Sequence, residues 1–155
     1  MTATPNDAEL KRAELVRAVA RASNEYILRV LRQLTDLHGG EFITAIVCQA
    51  IITANTAHLA DHGDALTAEG GLPPDELRKP ISILAIAGSL GLPFETTRRH
   101  VAKLTEAGVC RRVQGGVIVP ASALDKDVLY AAAETNFANV QRFVRAVRRA
   151  GLPMD

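Results

Sequence analysis

Tryptophan is absent from these 155 residues, and aromatic side chains of every kind make up only 4%. A core with so few rings has to be filled by aliphatic side chains. Ala, Leu, Val and Ile are abundant, and hydrophobic residues reach 48%, so helix-on-helix packing of aliphatic stripes is expected and the fold should be mainly α. Cysteine is scarce as well. Cys48 and Cys110 are the only two and form no CxxC pair, which excludes a disulfide framework and the common zinc-site spacing. No basic, apolar and small-residue leader stands at the start, and the expected location is the reducing cytoplasm. No nucleophile–base arrangement, phosphate-cradling glycine loop or paired-carboxylate motif stands out, so no enzyme is expected and no cofactor. Internal repeats and low-complexity tracts are also missing.

Residues 42 to 60 are rich in Ile, Val and Ala, but Thr44, Gln49, Thr53, Asn55, Thr56 and His58 interrupt them. Such a stretch would make a poor membrane span, and a buried core or interface helix is expected instead. The length and apolar content suit one compact domain.

Net charge is +1 over the whole chain but is unevenly placed. Between residues 78 and 116, Arg78, Lys79, Arg98, Arg99, Lys103, Arg111 and Arg112 face only Glu95 and Glu106. Seven cations against two carboxylates leave this segment at +5 and the remainder at −4, a concentration that suits a polyanion-binding surface.

Apolar residues at steps of three and four from Val16 to Leu34 predict a long amphipathic helix over about 8–37, opened by Asn6 and Asp7 and closed by His38-Gly39-Gly40. A second helix, about 41–61, is apolar on more than one face, and with the first it makes an N-terminal dimerisation frame, 1–62. Residues 63–79 read as a connector with a helical turn at 74–78. In 80–121, Ile81 to Leu90 and Phe94 to Ala107 are helical around Gly91-Leu92-Pro93, and Val109–Val113, Gln114-Gly115-Gly116 and Val117–Val119 form a strand, a tight turn and a returning strand. A last helix from Asp125 to Ala150, closing at Gly151 and Pro153, occupies 122–155 and packs on the frame.

Ala87, Gly91, Val101 and Leu104 stand where a helix-turn-helix needs a small contact residue, a turn residue and apolar anchors. The stretch LAIAGSLGLPFETTRRHVAKLTEAGVCRR resembles the winged-helix DNA-binding domain of many bacterial repressors, including the MarR, ArsR and IclR groups. The likeness covers Ile83 to Arg112; outside it only the layout matches, most like the MarR group, and Thr97 stands where a branched apolar residue is usual. The resemblance implies a mainly α fold with a small β wing, a winged helix-turn-helix flanked by long dimerisation helices. It further implies a sequence-specific regulator of transcription, most simply a repressor, with double-stranded DNA and a second copy of itself as partners. The second helix would lie in the major groove, bringing Glu95, Thr96, Arg98, Arg99, His100 and Lys103 to DNA, with Phe94 packing at its start. The wing, 109–120, would bring Arg111, Arg112 and Gln114 to phosphate or the minor groove. In a dimer two such helices would sit about 34 Å apart.

Other readings stay open. A winged helix can dock on a protein instead of DNA. His58, Asp61 and His62 have a helical spacing that would suit a metal sensor, although histidines at a helix end also complement its dipole in solvent. A small-molecule effector is possible, with Gln49, Asn55 and His58 either lining a pocket or pairing across helices. Cys110 is a redox-switch candidate or a buried structural thiol, and Arg142, Arg145, Arg148 and Arg149 touch DNA backbone or merely end a helix.

Overall fold

The computed structural model of the chain describes residues 6–59 and 72–153. Among these described residues helix dominates, at 74%, beside one two-stranded antiparallel sheet. The chain divides into two compact units, one running from Leu34 to Tyr130 and the other pairing residues 6–33 with 131–153.

The first helix, α1 (Asp7–Leu37), opens with a reciprocal cap: Asn6 Oδ1 accepts the Glu9 N–H and Glu9 Oε2 accepts the Asn6 N–H, both at 2.9 Å. It stops where Gly39 and Gly40 take positive φ, with the Gly40 N–H bonded to the Thr35 carbonyl. The last helix, α5 (Lys126–Arg149), is capped by Asp125, whose carboxylate accepts the N–H groups of Asp127 and Val128. In the unit they share, the two helices run antiparallel. Gln33 donates to the Ala132 carbonyl near one end, and Tyr26 meets Phe143 at a ring separation of 5.5 Å further along. Ala22, Asn139 and Val147 are buried there, while Leu10, Val16, Ile27, Leu28, Phe137 and Val140 remain exposed.

In the other unit α2 (Phe42–Thr56) is the central element. Val47, Cys48 and Ile51 on α2, Ile86 on α3 (Ile83–Leu90), Val101 and Leu104 on α4 (Phe94–Glu106), with Cys110, Val117 and Val119, form one aliphatic core. By length and composition alone Phe42–Leu59, of mean hydropathy 1.5, could cross a bilayer; Val47, Cys48 and Ile51 of that stretch are buried in this core, and Phe42 is exposed. The sequence pattern grouped α2 with the N-terminal frame; in the structure it belongs with the two following helices and the hairpin, because its buried face is what they pack on.

Helix α3 starts at Ser82, whose hydroxyl accepts the Ala85 N–H, and ends at Gly91 in the left-handed conformation, φ 65°, with the Leu92 N–H on the Ala87 carbonyl. That turn frees the chain to start α4 three residues later. Thr97 is fully buried and hands its hydroxyl to the Pro93 carbonyl, so its methyl packs while its polar atom is satisfied.

The hairpin is shorter than its sequence pattern suggests: β1 (Arg111–Val113) pairs with β2 (Gly116–Ile118) in the register Arg111 to Ile118. Ile81 adds one antiparallel bridge to Val117. It passes so close to Gly116 that a Cβ there would meet the Ile81 carbonyl, which requires glycine. The connector contributes a 3-10 turn at Asp75–Leu77.

Asn55 ties these pieces together. Its side chain is fully buried; Nδ2 donates to the Lys79 and Val117 carbonyls at 2.8 and 3.3 Å, and Oδ1 accepts the Val119 N–H at 2.9 Å. Its own carbonyl accepts the Lys79 N–H at 3.0 Å. Replacing Asn55 with Ala strands the Val119 N–H and the Lys79 carbonyl in the interior and leaves a void. The expected loss is roughly 3 kcal/mol, read as a lowered urea midpoint; a loss under about 1 kcal/mol would mean that water or neighbouring backbone replaces these bonds.

Candidate functional site

Helix α4 has two faces of different chemistry. Thr97, His100, Val101 and Leu104 point inward, while Glu95, Arg98, Arg99, Lys103 and Glu106 are exposed and Thr96 is partly so. The inward set repeats at steps of three and four, so the outward set forms a stripe dominated by cations. Arg111, Arg112 and Gln114 on the hairpin are also exposed. Of the residues expected from sequence to meet DNA, these all stay on the surface except Thr96, which is partly covered, and His100, which turns inward. His100 sits on the same stripe as Val101 and Leu104, and its Nδ1 lies 2.9 Å from the Thr44 hydroxyl.

That contact belongs to a chain of polar groups. Thr44 Oγ1 donates to Glu41 Oε2 at 2.7 Å, and Lys103 Nζ donates to both Glu41 oxygens at 3.1 Å. The threonine has a single proton, committed to the carboxylate, so it accepts from His100, whose Nδ1 must carry the hydrogen. Hydrogen bonds from Thr44 and Lys103, with the lysine's charge, hold the Glu41 carboxyl below its ordinary value. Burial, and then the Lys103 and Arg99 charges, push His100 below 6.5, against a smaller opposing pull from Glu41.

The remaining cations are partly neutralised within the chain. Arg98 Nε lies 2.8 Å from Glu95 Oε2, and Arg111 Nη2 lies 2.8 Å from Asp75 Oδ2. Asp75 also accepts the Ala121 N–H at 2.8 Å, which with Arg111 and Arg78 keeps its carboxyl low. Arg78 is withdrawn altogether: its side chain is 1% exposed, Nη2 donates to the Pro73 carbonyl, and Nε stands 3.5 Å from Asp75. Burial lowers its pKa despite that carboxylate. Among the described residues Arg99 and Arg112 are exposed and carry no ion pair. The +5 of the linear segment therefore overstates the free charge, because Glu41 and Asp75, outside that segment, fold onto it.

The other candidates separate clearly. Gln49 lines an apolar recess of ≈ 460 Å³ with Leu34, Ile46, Thr53, Ile81 and Leu90, whereas Asn55 is spent on the hairpin. His58 Nδ1 is buried with no hydrogen-bond partner, and no group of three or more metal-ligating side chains occurs among the described residues; Asp61 and His62 lie outside them. Cys48 and Cys110 are free and buried, and burial pushes their thiols up to about 12 and about 11. Both are thus held as thiols near neutral pH, which suits packing more than redox chemistry. Arg142, Arg145, Arg148 and Arg149 are exposed on α5, Arg149 bonding back to the Arg145 carbonyl. Glu41, Thr44 and Asp75 had no signal in the sequence beyond being polar residues near element ends.

A histidine whose folded pKa lies below its unfolded value binds protons more readily when unfolded. Its stabilising contribution is complete above 6.5 and is lost as pH falls towards the folded value. Burial lowers His38 in the same sense. The urea midpoint should therefore drop between pH 7.5 and 5.5, and His100→Gln should make that drop shallower, leaving the His38 share; an unchanged slope would mean that His100 is not proton-linked to folding.

No protein-family model matches this chain, and neither a curated protein nor a solved structure does, so the geometry of α4 and the hairpin carries the functional reading.

Proposed function

We propose that the chain is a sequence-specific regulator of transcription that binds double-stranded DNA through a winged helix-turn-helix. In this reading α3 and α4 are the helix pair, α4 enters the major groove, and the hairpin, 109–120, lies on the backbone or in the minor groove. The observation that carries it is the division of α4. Thr97, Val101 and Leu104 anchor the helix to the core while Arg98, Arg99 and Lys103 stand outward, beyond a left-handed glycine turn and ahead of a hairpin that presents Arg111 and Arg112. Arg98 or Arg99 would take a guanine edge in bidentate fashion, and Arg112 would take phosphate.

The second element of the proposal is a homodimer formed through α1 and α5. A pair of helices that buries few side chains and exposes Val16, Ile27, Leu28, Phe137 and Val140 offers the apolar stripe that a second copy would cover. A competing reading, docking on another protein, draws on Leu84 of α3 and Phe94 at the start of α4, which expose 70% and 44% of their surface.

Genomic DNA fragments captured by the protein across a salt series test the first element. The expected result is enrichment of a restricted set of sites, weakening with salt and lost in the Arg98→Ala, Arg99→Ala double variant; binding no better than for random fragments would instead favour the protein-docking reading. Light scattering at micromolar concentration tests the second, with twice the chain mass expected and a monomer mass refuting it.

A further inference from the structure

We propose that Glu41 acts as a built-in competitor of the DNA backbone: it holds Lys103 in the unbound protein and so keeps the affinity for DNA of arbitrary sequence low. The inference rests on the DNA-binding reading of α4 and adds a residue to it that lies on neither α4 nor the hairpin.

The argument starts from which partner of the pair is fixed. Glu41 is the residue that precedes α2, and its carbonyl accepts the Ala45 N–H at 2.9 Å, so its backbone is set by the helix start. Its carboxylate is set by the Thr44 hydroxyl at 2.7 Å, itself anchored on buried His100. Lys103, by contrast, is 48% exposed at the end of a four-carbon stem and is held by this carboxylate. A phosphate approaching α4 therefore meets a lysine that is already neutralised and an anchored negative charge beside it. To use Lys103, the DNA has to displace Glu41, and the freed carboxylate then stays near the duplex and repels it.

Glu95 on Arg98 and Asp75 on Arg111 repeat the pairing at 2.8 Å, but neither is a clean competitor. Glu95 belongs to α4 itself, and Asp75 also holds the Ala121 N–H and neighbours buried Arg78. Glu41 is exposed and can be altered without opening the core. Because arbitrary DNA binds almost wholly through phosphate contacts, whereas a cognate site adds base contacts, a competitor of this kind penalises the former proportionally more.

The test uses the full chain and a fluorescent mixed-sequence duplex of about 30 base pairs, titrated between about 50 and 200 mM salt. Glu41→Gln keeps an oxygen for the Thr44 hydroxyl and removes the charge; Glu41→Ala removes both, and a thermal melt of each checks the fold. Both variants are expected to bind roughly three- to tenfold tighter than the parent at the low-salt end, with a salt dependence steeper by up to about one unit of log–log slope. The gain should shrink in a Lys103→Gln background to the share that loss of the carboxylate's own repulsion gives. Unchanged affinity, or a gain that persists undiminished without Lys103, overturns the proposal. The Arg98→Ala, Arg99→Ala variant in the same assay separates the two ideas. If it loses binding while the Glu41 variants match the parent, only the competitor role fails; if binding ignores Arg98 and Arg99, the DNA-binding reading fails and takes this inference with it.

Discussion

A buried amide side chain surrounded by aliphatic groups must find partners for every polar atom, or the fold pays the desolvation cost. Asn55 meets that requirement by acting as a substitute strand. It bonds the backbone at Lys79 on one side and at Val117 and Val119 on the other. One residue near the end of α2 thus fixes where the connector returns and where the hairpin begins. The Ile81–Val117 bridge and the tight passage over Gly116 follow from that placement. The aliphatic core supplies the bulk of the driving force, but it is non-directional; the amide sets the register in which the hairpin stands against α2.

The same helix serves α4 at its other end. Val47, Cys48 and Ile51 give α4 an apolar seat, and Thr44 with Glu41 gives it a polar one through His100 and Lys103. Helix α4 is consequently anchored on α2 through Val101 and Leu104 in the core and through His100 and Lys103 at Thr44 and Glu41, and the side chains it turns outward are positioned by the ones it turns inward. This kind of support lets a surface stripe keep a fixed spacing against a partner. The exposed face is also electrically quieter than its composition implies. Arg78 is buried, and Arg98, Lys103 and Arg111 each lie against a carboxylate.

Much of the architecture was legible because local patterns are strong where burial is one-sided. The period of three to four in α1, α4 and α5, the asparagine start of α1 and the glycine stops all appear where the spacing placed them, within a few residues. The hairpin was legible from Gln114-Gly115-Gly116, although its paired strands are shorter than the apolar runs around them. Pairing needs free backbone groups, and the N–H groups of Val109 and Cys110 are taken by the Leu104 carbonyl and that of Val119 by Asn55 Oδ1, while Pro120 has none to give. His100 was misjudged as an outward group for a physical reason: a histidine beside two arginines looks like part of a basic face, yet it occupies the step shared with Val101 and Leu104.

The sequence by itself determined the helical class, the element order, the glycine turn between α3 and α4 and the basic character of α4, since these depend on residues within a few positions of one another. Tertiary structure alone decided that α2 supports the following helices, that Asn55 is spent on the hairpin, and that Glu41 and Asp75 neutralise cations 62 and 36 residues away. Electrostatic and hydrogen-bond partners are chosen by distance in space, and no periodicity along the chain encodes which carboxylate will arrive beside which lysine.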